Sequence, residues 1–281
     1  MIVLEGMHWG EARLLEKGID NARFDADLLL ARVLDVSRHR LYLDTDLNLS
    51  KQEEADYREA ILRRAEHEPL QYILKSQEFM GLSFGIDERV LIPRADSELL
   101  VEKWLELVSL EERQERERLI KVVDLCTGSG ALAISMAHYY PKAEVVGTDL
   151  SQDALDVAQE NAVRLGVSVQ WRQGDFLQPI QGERWDYIIT NPPYVSAEEY
   201  CQCAPEIFRE PSMAFLGGQD GLDFYHRLAE ETRVLLNPQG KLLMEIGSNQ
   251  ADAVCKIFQM KGFETQVFPD LAGHDRVIIA R

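Results

Sequence analysis

The chain is short of positive charge: 30 lysines and arginines stand against 48 aspartates and glutamates in 281 residues, a net charge of −18. Binding to duplex DNA draws heavily on phosphate neutralisation, so this balance argues against DNA as the substrate, and it offers no attraction to anionic membranes. Long apolar runs are missing too. None approaches the ~20 residues that span a bilayer, and Met1 to Gly10 has no basic start, so a cytoplasmic protein is expected. Only four cysteines occur, Cys126, Cys201, Cys203 and Cys255, without metal-ligand spacing. They read as thiols of a reducing compartment, with no structural disulfide and no metal site. Repeats and low-complexity segments are absent, and the length suits one large core with a small second domain.

The pattern of apolar residues divides the chain. In residues 1–72, apolar side chains at helical spacing in Ala12-Leu14-Leu15-Ile19, Leu28-Leu29-Leu30-Val33-Leu34 and Tyr57-Ile61-Leu62 predict a small helical domain. Its third main helix opens on the capping box Ser50-x-x-Glu53. Residues 73–95 read as a linker built on a hairpin from Phe79 to Val90, with Gly81 and Gly85. Residues 96–281 begin with a helix from Ser97 to Val108. The charge cluster Glu111 to Arg118 that follows reads as a solvated helix end or loop. Strands and helices then alternate, which predicts an α/β fold, a doubly wound, mostly parallel sheet. Its strands are placed at 119–125, 143–148, 167–173, 185–190, 241–247, 264–268 and 275–281.

Three strand ends carry chemistry. The first strand runs into Cys126-Thr127-Gly128-Ser129-Gly130 and an apolar helix, the strand, glycine turn and helix of a nucleotide site. Gly128 and Gly130 allow a sharp turn and close approach of a ligand. Cys126 and Ala133 break the dinucleotide fingerprint G-x-G-x-x-G, which disfavours a nicotinamide oxidoreductase. The second strand ends in Asp149, where an acidic residue can accept both hydroxyls of a ribose. The third ends in Asp175-Phe176, a carboxylate for the amine of adenine and a ring for its face. Taken singly, these acids are common turn or cap residues; their joint order is what points to an adenosine.

The fourth strand leads into Asn191-Pro192-Pro193-Tyr194. A bare Pro-Pro often marks no more than a rigid strand exit. Behind an adenosine site it offers more: each proline fixes its own φ and lacks an N–H, so the tetrapeptide presents acceptors, the Asn191 side-chain oxygen and the Pro192 carbonyl. Two acceptors can orient a planar NH2 group and offset charge growing on its nitrogen, while the Tyr194 ring covers the plane.

The chain resembles S-adenosylmethionine-dependent methyltransferases of the Rossmann-like class, and within them the HemK/PrmC family. The resemblance spans nearly the whole chain, through Pro69-Leu70-Gln71-Tyr72-Ile73, Val90-Leu91-Ile92-Pro93-Arg94 with Glu98, Asp124 to Gly130, Asn191 to Tyr194, Glu210-Pro211, Gly217-Gly218 with Asp220-Gly221-Leu222, Glu245-Ile246-Gly247 and Gly273-His274-Asp275-Arg276-Val277. It departs from the family pattern at Lys75 and Cys126, where glycine is usual or frequent, and at Ala95-Asp96-Ser97, where Pro-Glu/Asp-Thr is common. The resemblance implies transfer of the methyl of S-adenosyl-L-methionine to the glutamine amide of the Gly-Gly-Gln motif in peptide-chain release factors, with the helical domain supplying a groove for the protein substrate. It implies a cofactor site of Cys126, Thr127, Gly128, Ser129, Gly130, Asp149, Asp175, Phe176 and Asn191, and a substrate grip of Asn191, Pro192, Pro193 and Tyr194.

Direct in-line transfer needs no covalent enzyme intermediate and no metal. Tyr194 is a weak general base, and His226 and His274 read as surface residues. Gly217-Gly218-Gln219 echoes the substrate tripeptide but reads as a glycine turn before a helix near Leu222. The alternatives are a glutamine methyltransferase of a ribosomal protein and an adenine-N6 methyltransferase of nucleic acid, which shares Asn-Pro-Pro-Tyr but needs a basic and aromatic target-recognition region. A scaffold without catalysis is the remaining one.

Overall fold

A computed structural model describes residues 1–112 and 119–281, leaving most of the expected charge cluster, residues 113–118, outside the described residues. The chain forms two compact units, Met1–Ser76 with Ala204–Arg209, and Gln77–Cys203 with Glu210–Arg281. The boundary falls inside the stretch 73–95 read as a linker, and the hairpin belongs to the larger unit. Nothing in the sequence pattern signalled that 204–209 joins the helical unit.

In the smaller unit the main helices are Val3–Leu15, Ala22–Val33 and Lys51–Ala65. They bury Met7, Leu14, Leu30, Tyr57 and Ile61 against one another. The capping box forms: Glu53 N–H donates to Ser50 Oγ at 3.2 Å and Ser50 N–H to Glu53 Oε2 at 2.6 Å. Burial of Asp25 and Arg64 is tolerated because they pair at 2.7 Å, and Arg64 also donates to Glu206 at 2.8 Å, tying 204–209 in. Lys75 ends the helix Leu70–Leu74 with a left-handed φ of +56°. That backbone explains why glycine is usual there: a Cβ is disfavoured in this conformation.

The larger unit starts with a hairpin of β1 (Ser76–Phe79) and β2 (Leu82–Gly85), β1 taking its first residue from the smaller unit's span. A seven-stranded sheet follows: β3 (Lys121–Leu125), β4 (Glu144–Asp149), β5 (Gln170–Gln173), β6 (Trp185–Thr190), β7 (Leu236–Glu245), β8 (Thr265–Pro269) and β9 (Asp275–Ala280). Their order is β5-β4-β3-β6-β7-β9-β8, and β9 runs antiparallel to both β7 and β8. Helices flank the sheet, as expected for a Rossmann-like fold. β5 starts three residues later than expected and β7 five residues earlier, a shift confined to strand ends.

Strands β3 and β6 are buried almost throughout, with Val123, Leu125 and Ile188 in a core shared with Tyr225, Leu228 and Phe258 of the covering helices. Continuous apolar runs of this kind are what a sheet covered on both faces requires. The chain winds outward from β3 to β5 and returns to β6 on the other side of β3, so the strand order reverses between β3 and β6. Ligands of open α/β sheets bind outside the carboxyl ends of the strands at such a reversal. Leu125 pairs with both Thr148 and Thr190, which brings the exits Cys126, Asp149 and Asn191 to one edge.

Candidate active site

The turn after β3 is built from hydrogen bonds to β4. Thr127 N–H donates to the Thr148 carbonyl at 2.9 Å and Gly128 N–H to Asp149 Oδ2 at 2.9 Å. Gly128 has φ +54°, and a Cβ there would meet nothing within 4 Å, so open space lies beside the turn. Gly130, at φ +81°, is closed in: a Cβ would lie 2.9 Å from Ile134 Cδ1 and 3.0 Å from Ala158 Cβ. One glycine leaves room for a ligand and the other for helix packing.

Cys126, Thr127, Gly128, Ser129, Asp149, Asp175, Phe176, Asn191 and Pro193 all line one cavity at the carboxyl edge of the sheet. Gly130, Pro192 and Tyr194 do not line it. Asp149 accepts backbone N–H groups on both carboxylate oxygens, Gly128 on Oδ2 and Ser151 on Oδ1, both at 2.9 Å, with Leu150 N–H as a third donor. The carboxylate keeps acceptor capacity for a further donor. Burial raises its pKa above the usual carboxylate value, while the backbone donors pull it back.

Cys126, directly after β3, and Phe176, in the turn three residues past the end of β5 rather than at the strand end expected, have φ +58° and +51°, left-handed backbone in non-glycine residues. Such strain gathers at ligand sites. It also accounts for the frequent glycine at the position of Cys126. Burial and the neighbouring acids push the Cys126 thiol well above its ordinary pKa, so it is no nucleophile. The Phe176 ring is buried and meets Phe224 edge-on at 4.9 Å. Asp175 differs from expectation: its carboxylate pairs with Arg227 at 3.2 and 2.9 Å on the cavity's rim. An exposed pair of this kind is worth roughly 0–1 kcal/mol, so it leaves Asp175 available as an acceptor.

Asn191 follows the fully buried β6 and donates from Nδ2 to Ser97 Oγ at 3.0 Å. Ser97 Oγ in turn donates to Glu245 Oε2 at 2.5 Å. Tyr194 differs from the expected cover: its hydroxyl donates to Glu245 Oε1 at 3.1 Å, and the residue packs against the core. Burial, with the Glu245 carboxylate beside it, raises the phenol pKa, which removes Tyr194 as a general base at neutral pH. Burial pushes Glu245 up to about 6, while the hydroxyls of Ser97 and Tyr194 oppose the shift. Ser97 and Glu245 were not singled out from the sequence as site residues. The signal available was their place in the blocks Ala95-Asp96-Ser97 and Glu245-Ile246-Gly247.

The Gly217-Gly218-Gln219 segment is a turn that backs the tetrapeptide, ahead of a helix at Asp223–Glu231. A Cβ on Gly217 would sit 2.5 Å from the Pro193 carbonyl, and one on Gly221 2.3 Å from that of Tyr194. Gln250 Nε2 closes the same corner by donating to the Tyr194 carbonyl at 2.9 Å. Buried Glu210 accepts from Ile92 N–H at 2.9 Å and from Arg94, which orders the Ile92-Pro93-Arg94 loop whose Pro93 and Arg94 line the cavity. Asn161 holds the hairpin to the glycine turn, donating to the Gly85 and Ser129 carbonyls at 3.1 and 3.0 Å. His226 and His274 are exposed and line no part of the cavity. Among the described residues no group of three or more His, Cys, Asp or Glu is placed to hold a metal ion.

Two family models match the chain, the PrmC N-terminal domain over residues 5–74 and the methyltransferase small domain over residues 107–218. The release factor glutamine methyltransferase of Geobacter sulfurreducens is 39% identical over 277 residues, covering 98% of this chain and 95% of its own. That of Moorella thermoacetica is 41% identical, covering 96% of each. The chain belongs to the release factor glutamine methyltransferase family. A methyltransferase from Pyrococcus furiosus shares the fold at 17% identity and a TM-score of 0.51, over 80% of this chain and 97% of its own.

Members of this class take S-adenosylmethionine as methyl donor, and the residues at the cavity fit it. Asp149 retains acceptor capacity toward neighbouring hydroxyls, Gly128 leaves open space, and Phe176, Leu132 and Pro193 give apolar wall. No helix among the described residues is long and apolar enough to cross a membrane.

Proposed function

We propose that this chain methylates the side-chain amide nitrogen of the glutamine in the Gly-Gly-Gln motif of peptide-chain release factors. The observation that carries the reading is the Asn191 amide at the exit of β6, beside the glycine turn, with its Nδ2 committed to Ser97. Its Oδ1 is left to accept from a substrate NH2, and the backbone carbonyl of Pro192, a residue outside the cavity lining, is assigned as the second acceptor.

S-adenosylmethionine supplies an electrophilic methyl carried on a sulfonium. Asp149 accepts hydroxyls of the ribose, Asp175 and Phe176 take the adenine, and Cys126 to Gly130 let the backbone close on the ligand. Asn191 and Pro192 hold the amide nitrogen of the substrate, orient its lone pair and offset the positive charge that grows there, which is discharged by loss of one N–H proton once the methyl is in place. Positioning of two reactants and preorganised acceptors supply most of the acceleration. Tyr194 acts from behind, anchoring the tetrapeptide to Glu245 rather than covering the substrate.

The helical unit, residues 1–76 with 204–209, is assigned the docking of the release factor. The net charge of −18 supports a protein partner over nucleic acid, and a cytoplasmic enzyme is proposed with that partner. Incubation with labelled S-adenosylmethionine and purified release factors, followed by peptide mass mapping, tests the reading. Label is expected on the Gly-Gly-Gln glutamine and is expected to vanish when that glutamine is replaced. Labelling of a ribosomal protein or of nucleic acid instead would overturn it.

A further inference from the structure

β6 and β7 run parallel with Thr190 opposite Met244, so Glu245 lies one step beyond the last pair, level with Asn191. Ser97 reaches the same place from the short turn Ala95–Ser97 that precedes the helix Glu98–Glu112. Ser97 is 4% exposed and Glu245 1% exposed, and both lie within the larger unit. A buried carboxylate is tolerated only when donors satisfy it. Here the donors are two hydroxyls, Ser97 on Oε2 and Tyr194 on Oε1.

The direction of these hydrogen bonds has a chemical result. An ionised Glu245 can only accept. Ser97 has a single hydroxyl hydrogen, and it is committed to the carboxylate, so Ser97 Oγ can only accept from Asn191. The Asn191 branch facing Ser97 must then be the NH2, which leaves the carbonyl branch as the one free for another partner. A neutral Glu245 can donate to Ser97 instead. The hydroxyl hydrogen is then released toward Asn191, where it favours the carbonyl branch and turns the NH2 outward.

Resting on the reading of Asn191 as an amide acceptor, we propose that Ser97 and Glu245 are positioning residues for methyl transfer: the carboxylate orders the hydroxyl, and the hydroxyl sets which end of the Asn191 amide meets the substrate. Ser97 lines the cavity beside Asn191 and Glu245 does not, and both act through the Asn191 amide. Their contribution is to keep an acceptor, and not a donor, facing an incoming NH2.

The test compares Ser97→Ala, Ser97→Thr, Glu245→Gln and Asn191→Ala in the full-length enzyme. Single-turnover methylation of a release factor is measured at saturating S-adenosylmethionine, and S-adenosylmethionine binding is measured by calorimetry. Ser97→Ala is expected to slow transfer roughly 10-fold to 100-fold, less than Asn191→Ala, with cofactor affinity within about twofold of wild type. Ser97→Thr keeps the hydroxyl and is expected to recover most of the rate. Glu245→Gln is expected to slow transfer and to flatten the acid side of the pH profile, because no proton remains to reverse the chain. Wild-type transfer by Ser97→Ala beside a slow Asn191→Ala would overturn the positioning role and leave the reading of Asn191 standing. Wild-type transfer by Asn191→Ala would overturn both. A slow Ser97→Ala that Ser97→Thr fails to recover would assign Ser97 to packing and overturn the proposal. Should Glu245→Gln fold poorly, the serine pair decides the outcome alone.

Discussion

The carboxylate of Asp149 accepts the backbone N–H of Gly128 at 2.9 Å, so the end of β4 and the glycine turn after β3 are one rigid piece. Asp149→Ala therefore removes a ligand acceptor and the anchor of the turn together. Affinity for S-adenosylmethionine is expected to fall by on the order of 1–3 kcal/mol. Calorimetry on a variant shown to be folded checks this, and unchanged affinity would dismiss Asp149 as a ribose acceptor.

Asn191→Ala deletes an acceptor that matters most when charge develops on the attacking nitrogen. The methyl-transfer rate is expected to drop roughly 10²–10³-fold with little change in cofactor binding. Asn191→Asp keeps an oxygen in the same shape but adds a charge that strengthens ground-state binding of a sulfonium, so its rate should fall between the two. Single-turnover kinetics at saturating cofactor separates these cases.

The pH dependence of transfer should carry an acid limb near 6. Burial holds Glu245 up at about 6, with Arg276 lowering and Asp96 raising it from either side and the hydroxyls of Ser97 and Tyr194 lowering it. As pH falls through that value, Glu245 takes up a proton and the hydrogen-bond order through Ser97 reverses. The rate should therefore decline below about pH 6 while the protein stays folded. A flat rate between pH 5 and 8 would contradict this.

Stability should follow a different acid. Asp124 is fully buried and pushed up to about 7 by desolvation, only partly offset by Thr127 Oγ1 and Ala133 N–H. A carboxyl with a raised folded pKa binds its proton more tightly folded than unfolded, so its contribution is largest at low pH and is lost as pH rises from about 4 to about 7. Relative to Asp124→Asn, the wild type should lose on the order of 2–4 kcal/mol across that window, as thermal unfolding at stepped pH would register.

Gly217→Ala would drive a methyl group to 2.5 Å from the Pro193 carbonyl, a backbone atom with nowhere to retreat. The substitution should cost about 2–4 kcal/mol and displace the tetrapeptide, so activity at a temperature where the variant is folded should fall too. Lys75→Gly works the other way. It relieves a left-handed lysine at φ +56° and should stabilise by about 1 kcal/mol.

The parts of the site legible in the sequence are those whose signal is local. The glycines of the turn, Asp149 at a strand end and Asn191-Pro192-Pro193-Tyr194 after a buried strand each declare themselves within a few residues. So does the alternation of strands with helices, which marks a mostly parallel sheet but not the order of its strands. What escaped depends on pairing in space. Ser97 and Glu245 are 148 residues apart, and only the parallel register of β6 and β7 brings the second level with Asn191. Tyr194 carries no sign in its own neighbourhood that its hydroxyl is taken by Glu245. Likewise Arg94 and Glu210, separated by 116 residues, give no periodic signal. The departures at Lys75 and Cys126 were visible as letters, but their left-handed backbone was not.

Arg64 and Glu206 meet across 142 residues of chain. During synthesis the helices of the first 76 residues are complete long before Glu206 exists, and Arg64 at first has Asp25 for its carboxylate partner. At roughly 5–20 residues per second, the second carboxylate follows about 7–28 s later. The helical unit thus reaches its finished form only after most of the sheet has been translated, and the nascent chain passes through a stage at which its N-terminal helices can be packed but not yet closed.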